Sequence, residues 1–136
     1  MKHFFLDTNI ILDFLGNRVP FAKPALKIFT KGLKKEWQLW TSSNSVTTAY
    51  YILEKELERD TAKEKISQLL NYIYIHPIQK KDLQTSLVSQ FKDFEDGVQH
   101  FCALSHGKID GIITRNKKDF KHSQLPVYAP EELFIE

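Results

Sequence analysis

At 136 residues, with 42% hydrophobic and 26% charged residues, the chain has the length and balance of one globular domain over residues 1–136. A formal charge of +2 does not by itself mark a nucleic-acid binder, and five Gly and five Pro are too few for a linker-like or low-complexity chain. A single cysteine, Cys102, excludes an internal disulfide and fits a reducing compartment; with no signal-peptide core and no membrane-length apolar run, it predicts a cytoplasmic protein.

The run His3 to Leu6 is short and uninterrupted, as expected of a strand covered on both faces. After Asp7 the period changes: Ile10, Ile11, Phe14 and Leu15 recur at helical spacing, and Gly16-Asn17 ends that helix. A second helix is expected over Phe21 to Leu33, with Pro24 in its first turn. Trp37 to Thr41 reads as a second strand, and Ser42 to Ser45 offer N-caps for a helix running to about Glu58. Thr61-Ala62-Lys63-Glu64 has capping-box form and predicts a further helix starting there.

Tyr72 to Ile78 reads as a third strand, followed by a helix around Leu83, Leu87 and Val88 and another over Phe94 to Ser105. Ile109 to Thr114 is then a fourth strand, with a short helix at Asn116 to Phe120 and a last strand at Pro126 to Tyr128. Strands separated by helices imply crossover connections and an α/β fold with a mostly parallel sheet. Ligands of such sheets bind beyond the carboxyl ends of the strands, where Asp7 and the segment after Thr114 are expected.

Acidic groups recur at strand and helix ends: Asp7, then Asp93-Phe94-Glu95-Asp96, then Thr114-Arg115-Asn116-Lys117-Lys118-Asp119. Carboxylates brought together from distant segments suit a hard divalent cation, which takes oxygen ligands and completes its shell with water. Each acid also has a structural reading. Asp7 can cap the first helix, Asp93 can cap a helix that places Asp96 in its first turn, and Asn116 with Asp119 repeats that spacing. Glu95 is expected to face away from a metal held by Asp96, because adjacent helical positions diverge by about 100°.

Phe5-Leu6-Asp7-Thr8-Asn9, Asp93-Phe94-Glu95-Asp96 and Ile113-Thr114-Arg115-Asn116-Lys117-Lys118-Asp119-Phe120, in this order, resemble the PIN domain family, and within it the small VapC-like toxins. The resemblance covers essentially the whole chain. It implies a three-layer, Rossmann-like α/β/α sandwich and a Mg²⁺- or Mn²⁺-dependent endoribonuclease in which metal-activated water cuts RNA. Carried over by position, Asp7 and Asp96 would hold the metal, and Asn116 with Asp119 would complete the catalytic corner. Thr114 would hold its segment through its hydroxyl or meet a water or phosphate, and Arg115, Lys117 and Lys118 would steer the RNA backbone. Toxins of this kind form homodimers and are held inactive by a small antitoxin protein.

The chain departs from the family pattern at Thr48, where a glutamate is usual; Glu54, six residues on and about 9 Å along a helix, is too far to replace it. The loss of negative charge at Thr48 and Asn116 opens an alternative: a catalytically weak or inactive module that binds RNA or an antitoxin-like protein. A third reading, a receiver-like or nucleotide-binding domain using Asp7, lacks a Gly-rich phosphate loop. The five histidines show no zinc-like spacing, and His100 is expected at the surface. Cys102 and the Trp and Tyr residues are expected in the core.

Overall fold

The computed structural model describes residues 1–134 and holds five strands in one sheet of order β3-β2-β1-β4-β5. β1 (Lys2–Leu6) runs into α1 (Thr8–Leu15), followed by α2 (Ala22–Leu33), β2 (Trp37–Ser42), α3 (Ser43–Glu56), α4 (Arg59–Leu69) and β3 (Tyr74–His76). The second half holds α5 (Lys80–Leu87), α6 (Phe94–His106), β4 (Gly111–Ile113), a 3₁₀ turn at Lys117–Phe120, β5 (Val127–Tyr128) and a 3₁₀ turn at Pro130–Phe134. Every strand pair is parallel.

β1 sits at the centre because its residues are apolar on both faces. Phe4 and Leu6 point to one side and Phe5 to the other, and all three are buried. On the first side they join Ile10, Ile11, Ala25, Ile28, Ala49, Leu53, Ala62 and Leu69, contributed by the four helices α1 to α4. On the second, Phe5 packs with Cys102 and Ala103 of α6, and with Ile112 and Phe120. Two cores on opposite faces of one sheet make the α/β/α sandwich that the alternation of strands and helices predicts.

The close approach of α5 and α6 depends on Gly97, where a Cβ would lie 2.1 Å from the Ser86 hydroxyl. α6 ends at Gly107, whose φ of 86° is in the left-handed region open to glycine. Two boundaries differ from the sequence expectation. α4 begins at Arg59, two residues before Thr61, so the capping-box pattern lies inside the helix and Glu58 takes the N-cap position without a side-chain bond. β3 is confined to Tyr74–His76, because only this stretch pairs with β2.

The histidine and aromatic expectations need correction as well. His100 is wholly buried beside Phe91 and Phe101, and its Nε2 accepts from the Gln124 backbone N–H at 3.0 Å. Burial pushes its pKa down to about 4, so the ring is neutral. Tyr51, Tyr72 and Tyr74 are exposed, whereas Cys102 is buried as expected and its thiol is pushed up to about 12.

Candidate metal and nuclease site

The order of the strands reverses between β1 and β4, and the crevice beyond their carboxyl ends is the usual ligand position of a doubly wound sheet. Asp7 and Thr114 stand directly after these two strands. The Asp7 backbone N–H donates to the Ile113 carbonyl at 3.0 Å, which fixes one segment against the other.

Asp7 caps α1 and faces the crevice together. Its Oδ1 accepts from the Thr8 backbone N–H at 2.8 Å, while Oδ2 accepts from the Thr114 hydroxyl at 2.7 Å and the Asn9 amide at 3.2 Å. Burial is the largest influence on its pKa and raises it; the Thr114 and Thr8 bonds work the other way, and the charges of Glu95 and Asp119 raise it further. Beneath it the Thr8 hydroxyl donates to Ser45 at 2.8 Å, and Ser42 caps α3 by accepting from the Ser45 N–H at 3.0 Å. These buried hydroxyls tie the first turn of α1 to the first turn of α3.

Asp96 comes from the opposite wall. Asp93 caps α6 by accepting from the Asp96 backbone N–H at 2.9 Å, the structural role its sequence position suggested. The Asp96 carboxyl is pushed up to about 7, first by burial and then by the charges of Asp7, Asp93, Asp119 and Glu95. Among the described residues no hydrogen bond to its carboxylate offsets this rise. Asp96 and Asp119 line one cavity, and the charges of Asp7 and Asp119 both act on Asp96.

Glu95 lines a neighbouring cleft, separate from the one that Asp96 lines, in keeping with the angle between adjacent helical positions. Its charge still contributes to the raised pKa of both Asp7 and Asp96.

The four residues expected at the substrate have separate fates. Thr114 is wholly buried, and its hydroxyl donates to Asp7 and accepts from the Asn116 backbone N–H at 3.1 Å, which makes it a positioning residue. Arg115 forms a two-point ion pair with Asp13, itself only 1% exposed, and lies 4.0 Å over the Phe21 ring. Lys117 pairs with Glu132 at 2.9 Å. Lys118 faces the crevice: with Asp93, Asp96, Asp119, Lys92 and Lys121 it lines a cavity of about 280 Å³. Asn116 is exposed and makes no cap bond with its side chain.

Asp13 and Gln99 had no signal in the sequence. Asp13 reads as a polar position on an amphipathic helix, yet it is the buried partner of Arg115. Gln99, one turn beyond Asp96 on α6, is 2% exposed with both amide atoms unpartnered among the described residues. Glu54 is engaged by the Tyr50 hydroxyl at 2.7 Å, in keeping with its exclusion from the site.

Among the described residues no three His, Cys, Asp or Glu side chains gather closely enough to hold an ion by themselves. The donor set still suits Mg²⁺ or Mn²⁺, since such ions are commonly held by one or two carboxylates with water completing the shell. Asp7 and Asp96 are the carboxylates that would supply that pair. The raised pKa of Asp96 marks a place where negative charge lacks compensation, and the orphaned Gln99 amide adds an unsatisfied polar group one turn away.

The model of the PIN domain matches residues 3–118. A curated relative, Ribonuclease VapC1 of Aquifex aeolicus, is 29% identical over 133 residues, covering 94% of this chain and 90% of the relative. Among solved structures, VapBC2 of Rickettsia felis bound to a promoter DNA fragment aligns with a TM-score of 0.67 at 18% identity, over 93% of this chain and 98% of that one. VapC20 of Mycobacterium tuberculosis, described as a sarcin-ricin loop cleaving toxin, aligns at 0.64 and 13% identity, over 80% and 86% of the two chains. A toxin-antitoxin complex from Klebsiella pneumoniae aligns at 0.64 and 22% identity, over 93% and 96%. With two carboxylates set across the switch point of a parallel sheet and the family model spanning most of its length, the chain belongs to the PIN domain family.

Proposed function

We propose that the protein is a metal-dependent endoribonuclease of the VapC type, with Mg²⁺ or Mn²⁺ held by Asp7 and Asp96. The observation that carries this reading is the Asp96 carboxyl, raised to about 7 beside Asp7 without a compensating donor. A divalent cation there would supply a Lewis acid for the phosphate oxygens and a water nucleophilic near neutral pH.

The chain's own groups prepare that chemistry. The bonds from Thr8, Asn9 and Thr114 fix the Asp7 carboxylate in one orientation, so little reorganisation is required when a ligand arrives. The backbone N–H of Asn116 on Thr114 sets the start of the last corner, where Asn116 and Asp119 would meet the reacting phosphate or its water. Lys118, with Lys121 and Lys92 on the same cavity, would draw the phosphate backbone toward Asp96. Arg115 contributes by holding the corner down on Asp13.

The names of the relatives support RNA as substrate and a small antitoxin as partner, and we extend both to this chain, together with a homodimeric state and a cytoplasmic location. No helix among the described residues is long and apolar enough to cross a membrane. Thr48 favours a second reading, in which the site binds RNA or an antitoxin-like protein without cutting.

Incubation with structured and unstructured RNA in Mn²⁺, in Mg²⁺ and in EDTA separates the two. Cleavage should require the cation and fall about a hundredfold or more in Asp7→Asn and Asp96→Asn, the scale of losing a major electrostatic contribution. Cutting that persists in both variants removes the enzyme reading; RNA binding without cutting supports the second.

A further inference from the structure

The start of α6 divides two clefts. Asp96 lines the one with the lysines, while Phe94, Glu95 and Val98 line the other, opposite Ser43, Asn44 and Thr47 of α3. This second cleft has a volume of about 560 Å³, within the roughly 300–1,000 Å³ of small-ligand pockets. Its walls are apolar, from Ile78, Leu83 and Val98, and the Phe94 ring is 46% exposed within it. The Thr47 hydroxyl is committed to the Asn44 carbonyl at 2.9 Å, so the polar groups it offers are the Asn44 amide, the Ser43 hydroxyl and the Glu95 carboxylate.

An exposed aromatic face beside an amide and a carboxylate matches the way unpaired bases are read, by stacking and by hydrogen bonds to their edges. We propose that this cleft receives an unpaired base of the RNA, stacked on Phe94 with its edge toward Asn44 and Glu95, next to the phosphate that a cation at Asp7 and Asp96 would hold. The proposal rests on the ribonuclease reading and adds a base preference to it. A carboxylate accepts, so it favours bases with an exocyclic amino donor, cytosine, adenine and guanine, over uracil, whose corresponding group is a carbonyl. The lysine side of α6 is placed for the phosphates and the Phe94 side for the base.

The test uses the full chain in EDTA, where binding is read without cutting, against short labelled single strands of adenylate, cytidylate and uridylate. Phe94→Ala should weaken adenylate and cytidylate binding about 5- to 100-fold, the cost of losing one stacked base, while Phe94→Trp should retain it. Glu95→Gln, which replaces an acceptor-only group by one that also donates, should narrow the gap between these strands and uridylate. Undiminished binding in Phe94→Ala, or equal binding of all three strands by the wild type, overturns the pocket. So does a Phe94→Ala variant that binds RNA normally but sediments as a smaller species, which would give this face to a second copy. RNA cut in Mn²⁺ with Phe94→Ala unaffected sinks the pocket alone; a wild type that neither binds nor cuts RNA sinks both readings.

Discussion

The two carboxylates of the site come from unlike surroundings. Asp7 is 8% exposed and accepts three hydrogen bonds, from a backbone amide, a side-chain amide and a hydroxyl, so its position is settled before anything binds. Asp96 sits in the first turn of a helix, is less buried, and has its pKa raised by burial and by the charges of neighbouring acids. The first is a fixed reference point; the second is a charge in need of a counter-charge. A site built from one of each can be accurate and still pull strongly on a cation, because stabilisation withheld from Asp96 by the protein is released when the ion arrives.

The largest effect on stability should come from breaking what anchors the fixed side. Arg115→Ala leaves the Asp13 carboxylate buried and unpaired, and should cost about 3 kcal/mol in urea denaturation, the scale for removing one partner of a buried pair. A loss under about 0.5 kcal/mol would mean that the ion pair adds little and that the corner is held by other contacts. Thr114→Val keeps the shape but removes the donor to Asp7 and the acceptor for Asn116; it should cost about 2 kcal/mol. Because the Thr114 bond lowers the pKa of Asp7, its loss should raise that pKa further, which carboxyl titration by NMR would detect.

The waiting side should respond in the opposite sense. A carboxyl whose pKa rises from 3.8 when unfolded to about 7 when folded favours folding while protonated, and this contribution is lost as pH climbs from about 4 through 7. Asp96→Asn should therefore stabilise the metal-free protein by about 1 kcal/mol at pH 8, discounted for partial exposure, and leave it unchanged near pH 4. Mg²⁺ should stabilise the wild type at pH 8 and have little effect on this variant. A variant destabilised at every pH would show that Asp96 is a structural group and would remove the contrast between the two acids. The smallest change is expected from Asp93→Ala, about 1 kcal/mol for a lost N-cap.

The same contrast explains what could be read from the sequence. The strand-and-helix alternation and the central position of the first strand follow from local patterns: a two-sided apolar run, a change of period after it, and capping residues at helix starts; the pairing of Asp7 with Asp96, 89 residues apart, came only from the family resemblance. Ser42 among several candidate caps, and the early start of α4 at Glu58, were not resolvable because neighbouring polar residues compete for the cap and packing decides. Arg115 was expected at the substrate because a basic residue beside acids in sequence resembles a phosphate contact. Its true partner lies 102 positions away, on a helix face that periodicity marks only as polar.

In chain order the central strand precedes the strand that completes the crevice, Gly111–Ile113, by about a hundred residues. A nascent chain still short of that point carries Asp7 without the segment that orients it. In the ribonuclease proposed above, this order of assembly would delay any cutting until the Thr114 segment has emerged and closed onto Asp7.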